Sequence, residues 1–185
     1  MTKRFIRLTP EEDAQADEVG KGRSDANERA GRGDRRSYDP TRIMSDNVLA
    51  NQLAARCELA VAKWYGAKWY GKVWDVSDHE RHAHEPDCQR DDTGIEVKWR
   101  RTGGWGVPVD RKDAERGHLI VWASVSPGDK EFITTVTIHG EALASELWDA
   151  AKDDERGDER RRYAQPVHLQ TAGTYFASVG ILATS

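Results

Sequence analysis

The stretch DDTGIEVKWRR, residues 91–101, contains the residues best suited to chemistry. Ile95, Val97 and Trp99 alternate with Glu96 and Lys98, the period of a strand with one apolar face. That period places Glu96 and Lys98 on one face, roughly 7 Å apart along the strand. Asp91 and Asp92 come just before it. Grouped carboxylates suit a hard divalent cation such as Mg2+ or Mn2+, which takes oxygen ligands. Such a cation polarises a phosphoryl oxygen and lowers the pKa of a bound water. A lysine beside it orients the water or stabilises charge developing in the transition state. Without chemistry, the same pattern describes a solvated amphipathic strand.

Other reactive groups are scattered. HERHAHEPDC brings His79, His82, His84 and Cys88 together, and Cys57 could join them on zinc. The spacing fits neither a C-x-x-C pair nor H-E-x-x-H, so a polar loop is the simpler reading. Phosphate-binding, dinucleotide and nucleophile-elbow glycine motifs are absent. Arg100, Arg101, Arg111, Lys112 and the three arginines at 160–162 could hold phosphates. Trp105, in TGGWG, could stack on a base. Each of these, taken singly, also reads as ordinary solvated surface.

The elements that must position these groups follow from patterning. The chain has 185 residues, 28 Lys+Arg mixed among 32 Asp+Glu, a net charge of −4 and two cysteines. It is long enough for one domain with a sizeable core. The expectation is a soluble, cytoplasmic protein with no signal peptide, membrane span or disulfide framework. Residues 1–44 are charged and poor in large apolar groups, which predicts a flexible arm ahead of a domain over 45–185. Within that arm Thr9-Pro10-Glu11-Glu12 reads as a helix start. Residues 45–66 form the clearest helix, with Leu49, Leu53, Cys57, Val61 and Trp64 in one stripe and Gly66 as its stop. Glu58 lies at the edge of that stripe. A strand is expected at 72–76, then a polar loop, the strand bearing Glu96 and Lys98, and a short edge piece at Val107-Pro108-Val109. Further strands at 118–125 and 131–140 and a helix at 141–152 complete the pattern, ahead of a charged segment and an apolar end. The class is α/β or α+β with a mixed sheet.

CELAVAKWYG followed by DDTGIEVKWR resembles the PD-(D/E)XK nuclease superfamily, phage-associated and small hypothetical members above all. The resemblance spans about residues 46–140. It implies an α/β, restriction-endonuclease-like mixed sheet flanked by helices, with Mg2+ (or Mn2+) as cofactor and DNA as partner. Glu96 and Lys98 match the (D/E)XK pair, and Glu58 matches the glutamate of the preceding helix. The upstream aspartate is Asp92 or Asp91, in an Asp-x-Gly turn with Gly94; Asp87, the only literal Pro-Asp, is the alternative. By this resemblance Asp91, Asp92 and Glu96 would hold metal, Lys98 would position or activate water, and Glu58 would either bind the metal directly or support its ligands. Arg100, Arg101 and Trp105 would contact nucleic acid. Two other classes compete, a non-catalytic DNA-binding or assembly protein of the same fold and a zinc-stabilised interaction module. A homodimer is compatible with the sequence, which does not separate endonuclease from exonuclease action.

Overall fold

The longest apolar stripe builds the centre of the molecule. In a computed structural model that describes residues 2–31, 47–73, 85–99, 106–125, 134–153 and 160–178, that stripe is one face of α2 (Asn47–Tyr65). Leu53, Cys57 and Val61 are fully buried, with Leu49 and Trp64 packed at the margin. Gly66 follows at φ +60, a left-handed stop that a residue with a Cβ adopts only with strain.

α2 lies on a mixed sheet of six strands. In chain order the strands are β1 (Arg4–Arg7), β2 (Lys68–Trp69), β3 (Cys88–Arg90), β4 (Thr93–Trp99), β6 (Leu119–Val125) and β7 (Thr135–Leu143). Their spatial order is β1-β7-β6-β4-β3-β2. Only β4 and β6 run parallel; every other neighbouring pair is antiparallel. A parallel pair needs a crossover. Here the crossover includes β5 (Val107–Asp110) and the short helix α3 (Arg111–Glu115). β5 also opens a second, three-stranded antiparallel sheet, β5-β9-β8, with β9 (Arg161–Ala164) and β8 (Lys152–Asp153). Pro108 sits on the edge strand of that sheet, where its missing N–H is tolerated.

Both faces of the main sheet are therefore covered. Ile95, Val97, Leu119, Val121, Val136 and Ile138 meet α2 in one core. Ile120, Trp122 and Ala142 point the other way, into a second core with Val107, Val109, Ala164 and Leu147 of α4 (Ala144–Ala150). The chain returns through a 3-10 turn at Pro166–His168 to α5 (Thr174–Ser178), whose Phe176 joins the α2 core. Among the described residues no helix is long and apolar enough to cross a membrane.

The expected arm is corrected over residues 4–29. Arg4–Arg7 pairs with β7, and Pro10–Arg29 forms α1, packed along α2. Thr9 caps α1 with Pro10 in its first turn, as the sequence predicts, and Glu12 reaches back to the Thr9 N–H to close a capping box. Counting large apolar side chains misses the packing because α1 buries Ala16, Gly20, Ser24 and Ala26. Ion pairs anchor it: Arg56 to Asp13 at 2.8 Å and Asp17 at 2.7 Å, Lys63 to Glu12 at 2.8 Å, and Arg23 to Glu58 at 2.6 Å. The expected boundary near residue 45 lies outside the described residues. A short strand follows α2 at Lys68–Trp69; of the strand expected at 72–76, residues 72 and 73 are not in a strand and 74–76 lie outside the described residues. Glu141–Leu143 prolongs β7, so the following helix begins at Ala144.

Gly20 makes the α1–α2 packing testable. A Cβ there would come within 2.4 Å of the Gln52 Cα, against backbone that cannot yield. Helix propensity alone would favour Gly20→Ala by roughly 0.5–1 kcal/mol. The close approach predicts the opposite sign, a loss of about 1–3 kcal/mol from overpacking. Gly22→Ala meets only the Val73 side chain, at 2.9 Å, and Val73 is 49% exposed. That variant should be neutral or slightly stabilised. Equal melting temperatures for the two variants would contradict this packing.

Candidate metal centre

Period-2 alternation puts Ile95 and Val97 into the α2 core and turns Glu96 and Lys98 to the opposite face. That face is not open to water. Their side chains are 15% and 13% exposed, under the crossover that joins β4 to β6. The Lys98 Nζ lies 3.4 Å from Glu96 Oε2, 3.2 Å from Asp113 Oδ2 and 3.5 Å from Asp110 Oδ2. Asp110 ends β5 and also accepts from Arg161 Nε at 2.7 Å. Asp113 lies on α3, which stops at Gly117 (φ +67), and the next residue donates its backbone N–H to the Asp113 carbonyl at 3.0 Å. That residue is His118, immediately before β6. Its Nδ1 is 3.6 Å from Asp113 Oδ1 and 3.9 Å from Glu96 Oε1.

Asp87 completes the group from the other side of β4. The β3–β4 register pairs Cys88 with Ile95, so its continuation brings Asp87 opposite Glu96. Where the ladder ends, Asp87 Oδ2 accepts the Val97 N–H at 2.8 Å. Burial, then the charges of Glu58 and Glu96, raises the Asp87 carboxyl well above the ordinary aspartate range. Burial also pushes Glu96 up to about 7, with Asp113 adding to the rise and Lys98 opposing it. Burial disfavours charge on Asp113 too, but the contacts with His118 and Lys98 outweigh it and hold that carboxyl below the usual range. For Lys98, burial disfavours the ammonium, and the charges of Glu96, Asp113, Asp110 and Asp87 together more than reverse it. Its pKa therefore stands above the usual lysine value.

Glu96 and Lys98 thus come together as predicted, but with different partners. Asp91 and Asp92 form the exposed turn between Arg90 and Thr93 and do not reach the group. Four extended residues, roughly 13 Å, separate Asp92 from Glu96. Glu58 is buried beside Asp87, yet Arg23 takes both its carboxylate oxygens, at 2.6 and 2.8 Å, and Trp69 Nε1 donates to one of them at 3.1 Å. It acts on Asp87 through charge. Arg100, Arg101 and Trp105 lie outside the described residues, as do His79, His82 and His84. Cys57 and Cys88 are buried and free, and burial pushes both thiols up, away from the thiolate that zinc requires. Sequence reasoning did not single out Asp113, Asp110 or His118. Gly94 was noted as part of an Asp-x-Gly turn, but its role is to seat the His118 ring. A Cβ at Gly94 would lie 2.7 Å from His118 Cδ2 and 2.9 Å from Nε2.

The residues fit a divalent cation. Among the described residues, Glu96, Asp113 and His118 each offer one ligand atom, all within 4.8 Å of one another. Asp113 Oδ1 and His118 Nδ1 are buried without a hydrogen-bond partner among the described residues. Compared with protein-family models, with curated proteins and with solved structures, the chain matches none.

The raised Glu96 value makes stability depend on pH in a defined direction. The fold favours the neutral carboxyl, so this contribution is complete below the ordinary value of 4.5 and is lost as pH rises through about 7. Glu96→Gln stays neutral throughout. In chelator-treated protein its melting temperature, relative to wild type, should rise by about 5–10 °C between roughly pH 5 and pH 8.5, the size of a change of about 2–3 kcal/mol at this chain length. A flat or falling difference would contradict the burial of Glu96.

Proposed function

We propose that the protein hydrolyses DNA phosphodiester bonds with a divalent cation, Mg2+ or Mn2+, in the manner of PD-(D/E)XK nucleases. The observation that carries this reading is the meeting of Pro86-Asp87 with Glu96-Val97-Lys98 across one hairpin, the Asp87 carboxylate bonded to the Val97 N–H at 2.8 Å. The order of elements supports it as well. A helix bearing Glu58, a hairpin bearing Asp87 and the E-V-K strand, then a crossover to the parallel β6, suit a restriction-endonuclease-like arrangement. In this reading Asp87 takes the upstream aspartate's place instead of Asp91 or Asp92.

Asp87 and Glu96 would hold the cation, which supplies polarisation of a phosphoryl oxygen and a more acidic water. Lys98, kept protonated by the carboxylates around it, serves as a hydrogen-bond donor to the attacking water or to a phosphoryl oxygen, and not as a general base. Asp113 and Asp110 fix the ammonium in place at 3.2 and 3.5 Å. Glu58, held by Arg23, keeps negative charge beside Asp87 without being a ligand. Arg100, Arg101 and Trp105, which follow β4 directly in the chain, are the proposed contacts to the DNA backbone and bases.

Cleavage of supercoiled plasmid with Mg2+ or Mn2+ tests the reading, with melting temperatures recorded for every variant. Asp87→Asn, Glu96→Gln and Lys98→Gln should each lose about 100-fold or more in rate, the usual cost of removing a group that acts on the transition state. The double variant Asp91→Asn/Asp92→Asn should keep wild-type activity. DNA binding with no cation-dependent cleavage would favour the non-catalytic alternative. Unchanged cleavage by a folded Lys98→Gln protein would overturn the assignment.

A further inference from the structure

We infer that Glu96, Asp113 and His118 form a binding site for a first-row transition-metal dication, selective for Mn2+, Co2+ or Zn2+ over Mg2+ and Ca2+. The site shares Glu96 with the hydrolytic reading but does not depend on cleavage.

The geometry separates this site from the lysine ion pairs. Lys98 faces Glu96 Oε2 and Asp113 Oδ2, whereas His118 Nδ1 faces the other oxygen of each carboxylate, Oε1 and Oδ1. A cation held by His118 and those two oxygens leaves the ammonium where it is. The Nδ1 separations, 3.6 Å to Asp113 Oδ1 and 3.9 Å to Glu96 Oε1, exceed hydrogen-bond length. They suit two ligands sharing one ion, since bonds of roughly 2.0–2.2 Å place neighbouring ligands about 3–4 Å apart.

Burial supplies the second, independent observation. Asp113 is 1% exposed and His118 7%, and among the described residues Asp113 Oδ1 and His118 Nδ1 both lack a hydrogen-bond partner. Buried polar atoms are normally paired, and these two point at the same place. Their positions come from rigid parts: the backbone bond from His118 to the Asp113 carbonyl, that from Ala144 to the His118 carbonyl, and Gly94 beneath the ring. Glu96, at 15% side-chain exposure, is less deeply buried than either.

The donor set decides the ion. Two carboxylate oxygens alone suit Mg2+ and Ca2+, which prefer all-oxygen shells. An imidazole nitrogen moves the preference towards Mn2+, Co2+ and Zn2+. The histidine of this site is therefore His118, at the end of the crossover to β6.

The test is titration of the full, chelator-treated chain with Co2+, Mn2+, Zn2+, Mg2+ and Ca2+, read by cobalt visible absorption and by thermal shift. The inference predicts saturation at one Co2+ per chain, and Mn2+ binding at least tenfold tighter than Mg2+. His118→Gln and Asp113→Asn should lose the cobalt band, while Asp91→Asn/Asp92→Asn keeps it. Because either ligand variant could unfold, His118→Asp is measured too. It retains a ligand, restores an all-oxygen set and should narrow the preference for Mn2+ over Mg2+. No saturable Co2+ binding by the wild-type chain, or binding unchanged in folded His118→Gln and Asp113→Asn, would overturn the inference. Mg2+-dependent DNA cleavage without Co2+ binding would leave the hydrolytic reading standing and remove this one. Co2+ binding without cleavage would do the reverse.

Discussion

The arrangement depends on one ammonium group. Lys98 stands within 3.2–3.5 Å of Glu96, Asp113 and Asp110 on a face that is largely shielded from water. Several carboxylates crowded in low dielectric repel one another and resist ionisation, and the rise of Asp87 and Glu96 expresses that. Lys98 supplies the opposing charge that allows the acids to be built into one place. Removing one partner of such a buried set typically costs about 3–5 kcal/mol, far more than a surface pair. Placing the charges also requires β4 between its neighbours, Asp87 from the hairpin on one side and Asp113 and His118 from the crossover to β6 on the other.

β4 serves two purposes because each face has its own core. Ile95 and Val97 fix the strand against α2, and α1 braces α2 from outside through small residues and ion pairs. The opposite face borders the second core, and the ladder sets Ile120 beside Glu96 and Trp122 beside Lys98. Packing of β4 and the ion pairs of Lys98 together hold the polar residues, which favours a fixed geometry for anything they bind. Arg23 links the two regions. It leaves α1 to clamp Glu58 on α2, and Glu58 in turn acts on Asp87 through charge.

Much of this was legible in the sequence, and the rest was hidden for physical reasons. The alternation of Ile95, Val97 and Trp99 gave β4, and the stripe Leu53, Cys57, Val61 gave α2, because each period belongs to one element. Nearness in sequence favours Asp91 and Asp92 as ligands, but a tight hairpin works against it. Turn residues sit at its far end, and with the turn at 91–92 the register carries Asp87 to Glu96. Asp113 and His118 belong to the crossover, and no local pattern reveals which face of β4 a crossover will cover. α1 was read as an arm because its contacts are Ala16, Gly20 and Ala26 with Asp13, Asp17 and Arg23, a surface that a count of large apolar residues overlooks.

The central claim is that the polar face of β4 is a metal centre, and anomalous diffraction from crystals soaked in Mn2+ tests it most directly. The account predicts a strong manganese peak beside Glu96, bounded by Asp113 and His118, with the Lys98 ammonium still bound to the other carboxylate oxygens. No peak there, or a peak at the Asp91–Asp92 turn or among His79, His82 and His84 instead, would contradict it.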